Sequence, residues 1–389
     1  MIQREAETEI RALAKQFKAV AIVGPRQSGK TTLVRHIFSD KPYINLENPD
    51  LRMYATDDPR GFLSNYPAGA VLDEVQRVPE LFSYLQQILD ESAMHGMFIL
   101  TGSNNFLLQE RISQSLSGRV GYLSLLPLSL SEINDSQINS NQLMVKGCYP
   151  VLYSEGVEPS KWYSNYIRTY VERDVRLIKN ISDLTTFERF LRLCAGRIGQ
   201  LLNMSSLAVE TGVDVKTIGA WLSVLETSFV LFRLQPYHEN FNKRIVKMPK
   251  LYFYDTGLAT ALLGIENAAQ LELHPFRGSL FENMVIVDVL KKRYNAGKPH
   301  NLYFWRDNVG NEVDLLIKHG NSLVPVEIKS GQTVTNEYFK GILFWNKITQ
   351  TRGGYIVYGG DMRQNRSNEV TVLSFRDLNY VYQKVNIEF

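Results

Sequence analysis

The sequence predicts an α/β protein built in three parts. Three observations carry that reading. An apolar, β-branched run, Ala19–Val23, leads into a glycine-bounded loop and then an amphipathic stretch. Strand-sized apolar runs alternate with helical stretches from residue 5 to about 126. A second alternation of helix and strand begins near residue 275, after a mostly helical segment. Such alternation implies a parallel sheet with helices on both faces. Apolar runs without a polar face are strands buried on both sides.

The elements follow in order. Ala19–Val23 is the first strand and Thr31–Phe38 its helix. Pro42–Leu46 is a short second strand, Ala70–Asp73 a third, and Glu80–Ser92 the helix after it. Met97–Thr101 is a fourth strand and Val120–Leu125 a fifth. Residues 134–146, rich in Asn, Ser and Gln, read as a surface loop. Ser160–Ile178 reads as one long helix, with Trp162, Tyr166, Ile167, Tyr170, Val171 and Val175 at helical spacing. The expected division is 1–150, 151–270 and 271–389.

The 389 residues suffice for two or three domains. Lys and Arg number 43 against 40 Asp and Glu, so overall charge does not argue for nucleic acid, and any such footprint is local. The two cysteines, Cys148 and Cys194, lie far apart without metal-ligand spacing. That speaks against a disulfide framework and for a reducing cytoplasm. The N-terminus lacks the apolar core of a signal peptide, and no run approaches the roughly 20 apolar residues of a membrane span. A cytoplasmic chain with no membrane partner is the expectation.

The loop reads Gly24-x-x-x-x-Gly29-Lys30-Thr31, between a strand and a helix start. That is a P-loop in its proper context. Backbone N–H groups of such a loop and the helix N-terminus form a nest for phosphate oxygens. Gly24, Gln27, Ser28, Gly29, Lys30, Thr31 and Thr32 are the expected ATP-binding residues. Lys30 offers a point charge to the β/γ-phosphates, and Thr31 a hydroxyl to Mg²⁺. The third strand ends in Asp73-Glu74, an acidic pair at a strand's C-terminal edge. There Asp73 can hold Mg²⁺ and Glu74 can polarise the attacking water. The fourth strand ends Thr101-Gly-Ser103-Asn104. Any of these three polar side chains is a candidate γ-phosphate sensor, and Ser103 is included in the expected site. Arg119, before the fifth strand, can approach a phosphate of its own subunit or of a neighbour's, which would make the protein a homo-oligomer. It can equally pair with a carboxylate. Arg26 reads as a solvated side chain.

In the middle, Ser205 or Ser206 caps a short helix, Gly212 breaks it, and Asp214 caps a second. Ile218, Trp221, Leu222 and Leu225 form the stripe of that second helix, and a β ribbon at Ser228–Gln235 follows. The rhythm is that of a helix-turn-helix with a wing. The second helix shows Lys216 and Thr217 but no arginine, which is poor equipment for reading bases. Arg233, Lys243, Arg244, Lys247 and Lys250 cluster just beyond. Contact with DNA phosphates and packing against protein are both open.

In the last third, Leu302–Arg306, Asn311–Lys318 and Ser322–Lys329 read as strands, after a helix Ser279–Lys292. Residues two apart share a strand face, so Glu312 and Asp314 point together, as do Glu327 and Lys329. The short turn sets Asp314 roughly opposite position 326, with Glu327 beside it. Asp314 and Glu327 could bind Mg²⁺, with Lys329 beside them and Glu282 as a further carboxylate. The spacing Asp314 … Glu327-x-Lys329 matches the Asp…(Asp/Glu)-x-Lys signature of restriction-endonuclease-like folds. Asp314, Glu327 and Lys329 are its expected catalytic residues.

With these residues together, the chain resembles a bacterial and archaeal family of AAA-type ATP-binding proteins whose C-terminal domain of unknown function has an endonuclease-like core. The carriers are Gly24–Thr31, Leu72–Glu74, Leu100–Ser103, Gly118-Arg119, Leu126–Ser129, Glu172–Asp174, Pro249–Leu258, Glu312–Asp314 and Val326–Lys329. The resemblance implies ATP binding, ATP hydrolysis and a restriction-endonuclease-like C-terminal fold. The expected function is a nucleotide-controlled switch coupled to a DNA-binding or nuclease-like module. The alternative is a signalling or scaffold ATPase whose winged-helix and C-terminal modules bind proteins. A small-molecule kinase is disfavoured, because nothing resembles an acceptor pocket.

Overall fold

The computed structural model describes residues 2–102, 108, 111–112, 114–133, 135–171, 183–238 and 246–384. Its first sheet holds β1 (Ala19–Val23), β2 (Tyr43–Asn45), β3 (Val71–Asp73), β4 (Phe98–Gly102) and β5 (Val120–Ser124). They lie in the order β2-β3-β4-β1-β5, all neighbours parallel. Residues of β1, β3 and β4 are buried throughout, as their unbroken apolar runs require. Parallel pairing in register gathers Val23, Asp73 and Gly102 at one edge, where the loop leaves β1. The helix Lys30–Ile37 buries Leu33, Val34 and Ile37 and starts at that edge.

The middle holds helices Leu184–Ala195, Met204–Thr211 and Val215–Thr227. Gly212, at φ +77°, ends one helix, and Asp214 caps the next by accepting from Thr217 N at 2.8 Å. Ile218, Trp221, Leu222 and Leu225 are buried, as their spacing predicts. Antiparallel strands β6 (Leu231–Leu234) and β7 (Lys250–Phe253) follow. The expected ribbon at Ser228–Gln235 is therefore a single strand, whose partner comes from residues 250–253.

The last third is a six-stranded sheet with helices Arg277–Asn295 and Lys340–Thr349 among its flanking elements. Its strands are β8 (Leu302–Arg306), β9 (Glu312–His319), β10 (Ser322–Lys329), β11 (Gly354–Tyr358), β12 (Gln364–Asn365) and β13 (Val370–Ser374). They run in the order β12-β13-β11-β10-β9-β8. The middle region docks on the β8 edge: Tyr237 N donates to Phe304 O at 2.7 Å and Val246 N to Arg306 O at 3.1 Å. One contiguous apolar cluster runs from Val23 through Trp221 and Phe281 to Tyr382, so all three parts share a core.

Two expectations fail locally. Residues 140–146 form a helix, not a loop, and bury Leu143, Met144 and Val145. The polar composition there is a capping box, Asn139 with Gln142. The long helix at Ser160–Ile178 is α-helical over Pro159–Tyr166 and π-helical over Ile167–Val171; residues 172–182, with Glu172–Asp174, lie outside the described residues. Among the described residues no helix is long and apolar enough to cross a membrane.

Candidate functional site

The P-loop is held from behind. Gly24 passes so close to β5 that a Cβ on it would stand 2.1 Å from Leu125 O. Gln27, exposed at φ +63°, and Gly29, at φ +91°, turn the chain into the helix. Arg4 is buried behind the loop. Its guanidinium donates to Ser28 O and to Leu126 O, each at 2.7 Å, and pairs with Glu132 at 3.0 Å. Sequence reasoning missed Arg4, which lies in no motif.

Lys30 is buried, and its Nζ donates to the loop's own Gly24 O at 3.0 Å and Pro25 O at 2.8 Å. Burial pulls its ammonium down to about 8, against the upward pull of Glu74 and Asp73. Ser28 Oγ is buried and has no hydrogen-bond partner among the described residues. Thr32 is exposed at the head of the helix.

Asp73, 5% exposed, is the hub of the site. Its Oδ2 accepts from Thr31 Oγ1 at 2.9 Å and from Tyr43 Oη at 2.5 Å, and its Oδ1 from Thr101 Oγ1. Burial, and the bond to Asp73, push the Tyr43 hydroxyl well up, so it stays a donor. Tyr43 was also missed; its signal is a place on the strand beside β3. Glu74 stands in the left-handed region at φ +56°, and Gln76 Nε2 donates to its Oε2 at 2.6 Å. Thr31, Asp73 and Glu74 thus meet at the mouth of the loop. ATP with Mg²⁺ fits these residues: an unpartnered buried hydroxyl, an ammonium resting on carbonyls and a hydroxyl–carboxylate pair face the same nest.

Two expected residues do not join them. Ser103, with Asn104, lies outside the described residues. Arg119 precedes β5, whose first residue, Val120, pairs with Ala19, so it stands at the opposite edge of the sheet from the loop. It forms a two-pronged pair with Asp90, at 2.5 and 2.8 Å. A role at this chain's own phosphates is therefore corrected to an ion pair.

The second candidate cluster lies on the last sheet. The β9–β10 ladder runs to Val326 opposite Leu315, so the next residues along are Glu327 and Asp314. That is one position from the register expected. Lys329 Nζ lies 3.0 Å from Asp314 Oδ2 and 2.7 Å from Glu327 Oε1. Asp314 Oδ2 also accepts from Ile328 N at 2.8 Å. Burial, then the charge of Asp314, raises the Glu327 carboxyl to about 8. Glu282 accepts from Lys250 Nζ at 3.0 Å and from Tyr252 Oη. Glu312 pairs with the same Lys250 and with Arg306 at 3.0 Å. The endonuclease resemblance implies a divalent metal at Asp314 and Glu327, and the residues do not fit one. One ammonium, that of Lys329, already pairs with an oxygen of each, and among the described residues no three His, Cys, Asp or Glu side chains gather as a metal-binding group. The metal expectation there is set aside.

The basic cluster of the middle region also shrinks. Arg233 is tied to Glu226 at 2.6 and 2.5 Å, and Lys250 is buried. Lys243 and Arg244 lie outside the described residues, while Lys216 and Lys247 are exposed.

Residues 16–134 match an AAA domain, residues 138–269 a domain of unknown function (DUF8612), and residues 277–378 another (DUF4143). Uncharacterized proteins Rv2008c of Mycobacterium tuberculosis and Mb2031c of Mycobacterium bovis are each 31% identical over 336 residues, covering 85% of this chain and 74% of theirs. Among solved structures, the Walker-type ATPase PABY2304 of Pyrococcus abyssi aligns with 67% of this chain and 96% of its own, at 16% identity and a TM-score of 0.43. This chain belongs to the family of the two mycobacterial proteins, and in it a P-loop AAA domain is followed by two domains of unknown function.

Proposed function

We propose that the chain is a Mg²⁺-dependent ATPase working as a nucleotide-controlled switch. The observation that carries this reading is Asp73 bonded to Thr31 beside a P-loop whose lysine rests on its own carbonyls. In this reading Lys30 exchanges those carbonyls for phosphate oxygens. Thr31 and Asp73 would hold Mg²⁺, whose charge would offset that of the phosphate oxygens. Tyr43 and Thr101 fix the Asp73 carboxylate. Glu74, oriented by Gln76, takes the proton of the attacking water. Thr101 acts through Asp73, and Ser103 remains a proposed sensor.

The switch needs a path out of the sheet. Glu5 bonds Lys292 and, at 3.3 Å, Asn295 Nδ2, both on the helix Arg277–Asn295, and its neighbour Arg4 holds the P-loop. This supports coupling from nucleotide to the last third. The proposed output is phosphate-directed DNA contact through Lys216, Lys247 and the segment beyond. A second reading, a scaffold ATPase without nuclease activity, is favoured by the lysines that fill the C-terminal acidic cluster. Calorimetric titration with ATP and Mg²⁺ tests the switch: Lys30→Ala should weaken binding at least about tenfold. Unchanged affinity would refute the reading. Plasmid nicking and a salt-dependent gel shift, beside Asp314→Ala, separate the two outputs.

A further inference from the structure

The turn at residues 147–150 and the segment 249–258 take no part in the chemistry above, yet the fold brings them together. Resting on the nucleotide reading, we propose that Asp255 is a positioning residue of that site. It clamps the turn against the P-loop, so that the middle region sets how tightly ATP is held.

Asp255 is 1% exposed and caps the helix Thr256–Leu262. Its Oδ1 accepts from Leu258 N at 3.0 Å and from Tyr163 Oη at 2.6 Å. Its Oδ2 accepts from Cys148 N at 2.7 Å. A helix cap needs only the first of these bonds. The other two reach the helix Pro159–Tyr166 and the turn where the first region passes into the second. A buried carboxylate persists only while its oxygens are met, so the three donors are held as one unit. Gly147, at φ +69°, leaves the room for it. A Cβ there would stand 1.9 Å from Tyr163 Oη and 2.5 Å from Asp255 Oδ1. Tyr153 Oη donates to Gly147 O at 2.6 Å and fixes the same glycine.

The clamped turn meets the P-loop by three routes. Cys148 O accepts from Leu128 N at 2.9 Å. Leu128 ends the stretch in which Leu125 O presses on Gly24 and Leu126 O is held by Arg4. Pro150 packs beside the second glycine of the loop, since a Cβ on Gly29 would stand 3.6 Å from Pro150 Cγ. Tyr149 Oη donates to Tyr166 Oη at 3.0 Å, and Tyr166 Oη lies 3.5 Å from Arg26 O. Cys148, Tyr149 and Pro150 thus brace Gly24, Arg26 and Gly29. The phosphate nest is built of backbone groups of this loop, so a slackened turn misplaces its donors. Asp255 is no part of the nest and acts only through the turn. Arg4 and Glu5 tie the loop to the last third, and Asp255 ties it to the middle region.

Calorimetric titration of the full chain with ATP and Mg²⁺, beside thermal melting, tests this. Tyr163→Phe removes one donor from Asp255 and keeps the ring. It should weaken ATP at least about fivefold, the lower end of ordinary coupling between sites. Trp221→Phe loosens the packing against Phe187 and Phe190 without touching the clamp. It should lower the melting temperature and leave ATP affinity unchanged. A folded Tyr163→Phe that binds ATP as wild type does overturns the proposal, and so does an equal loss of affinity in Trp221→Phe. Where Tyr163→Phe does not fold, hydrogen exchange of wild type with a non-hydrolysable ATP analogue and Mg²⁺ decides. The Cys148 and Leu258 amides, both bonded to Asp255, should slow at least about fivefold, and the Val357 amide of β11 should not move. Amides that stay unmoved, or slow no more than Val357, defeat the proposal. A wild type that binds no ATP sinks the nucleotide reading with it, whereas tight wild-type binding matched by Tyr163→Phe sinks the role of Asp255 alone.

Discussion

The P-loop and the C-terminal acidic cluster differ in what holds their buried lysines: backbone carbonyls in one, carboxylates in the other. At the P-loop, Lys30 rests on neutral carbonyls and Ser28 Oγ has no partner among the described residues. At the C-terminal cluster, two ammonium groups and the Arg306 guanidinium face four carboxylates, and the charges nearly cancel. One site is poised for an anion, whereas the other already holds its counter-ions. Both carry motif residues at motif spacing. What differs is whether the fold leaves the charge unanswered.

The largest expected effects come from breaking each site at its hub. Asp73→Asn keeps the shape of the carboxylate but removes its charge. ATP turnover should fall by about 10²-fold or more, as when one transition-state contact is lost. Chemical denaturation should report little change. Lys250→Ala should do the reverse. It leaves Glu282 without its cation and Glu312 with Arg306 alone, and should cost about 3–5 kcal/mol of stability, read from the denaturation midpoint, as for other broken buried pairs. ATP affinity of the folded fraction should hold. If both variants lose ATP turnover and stability alike, the two sites do not differ in kind.

Between these lies Arg4. Arg4→Met removes three bonds behind the loop and leaves Glu132 buried without its cation. It should cost about 2–3 kcal/mol of stability. It should also raise KM for ATP more than it lowers kcat, because Arg4 shapes the nest and touches no phosphate. Equal loss in both parameters would place Arg4 nearer the chemistry than its geometry suggests.

The uneven legibility of the two sites has the same origin. Gly24–Thr31 and Asp73 could be read because their neighbours in sequence, an apolar strand and a helix start, fix where they point. The strands of the first sheet were legible for the same reason. Lys250 read as one more basic residue near Arg233 and Lys247, because its partners Glu282 and Glu312 are brought to it only by tertiary folding. Arg119 was left open between a phosphate and a carboxylate, because only the strand register shows that the start of β5 lies at the sheet edge away from the loop. Residues 140–146 were read as a loop because a capping box uses the same residue types as a turn.

The smallest expected effect is the sharpest test of the comparison. Ser28 Oγ is buried and makes no hydrogen bond among the described residues, so as a purely structural group it is a cost. Ser28→Ala should therefore leave stability unchanged or raise it by up to about 1 kcal/mol. If the hydroxyl is kept for a phosphate oxygen, the same variant should weaken ATP several-fold in calorimetry, a loss of about 1 kcal/mol. Stability and affinity would then move in opposite directions from one atom. An unpartnered donor that serves no ligand would give the first effect without the second, and the P-loop would no longer stand apart as the site whose charge and donors are left unanswered.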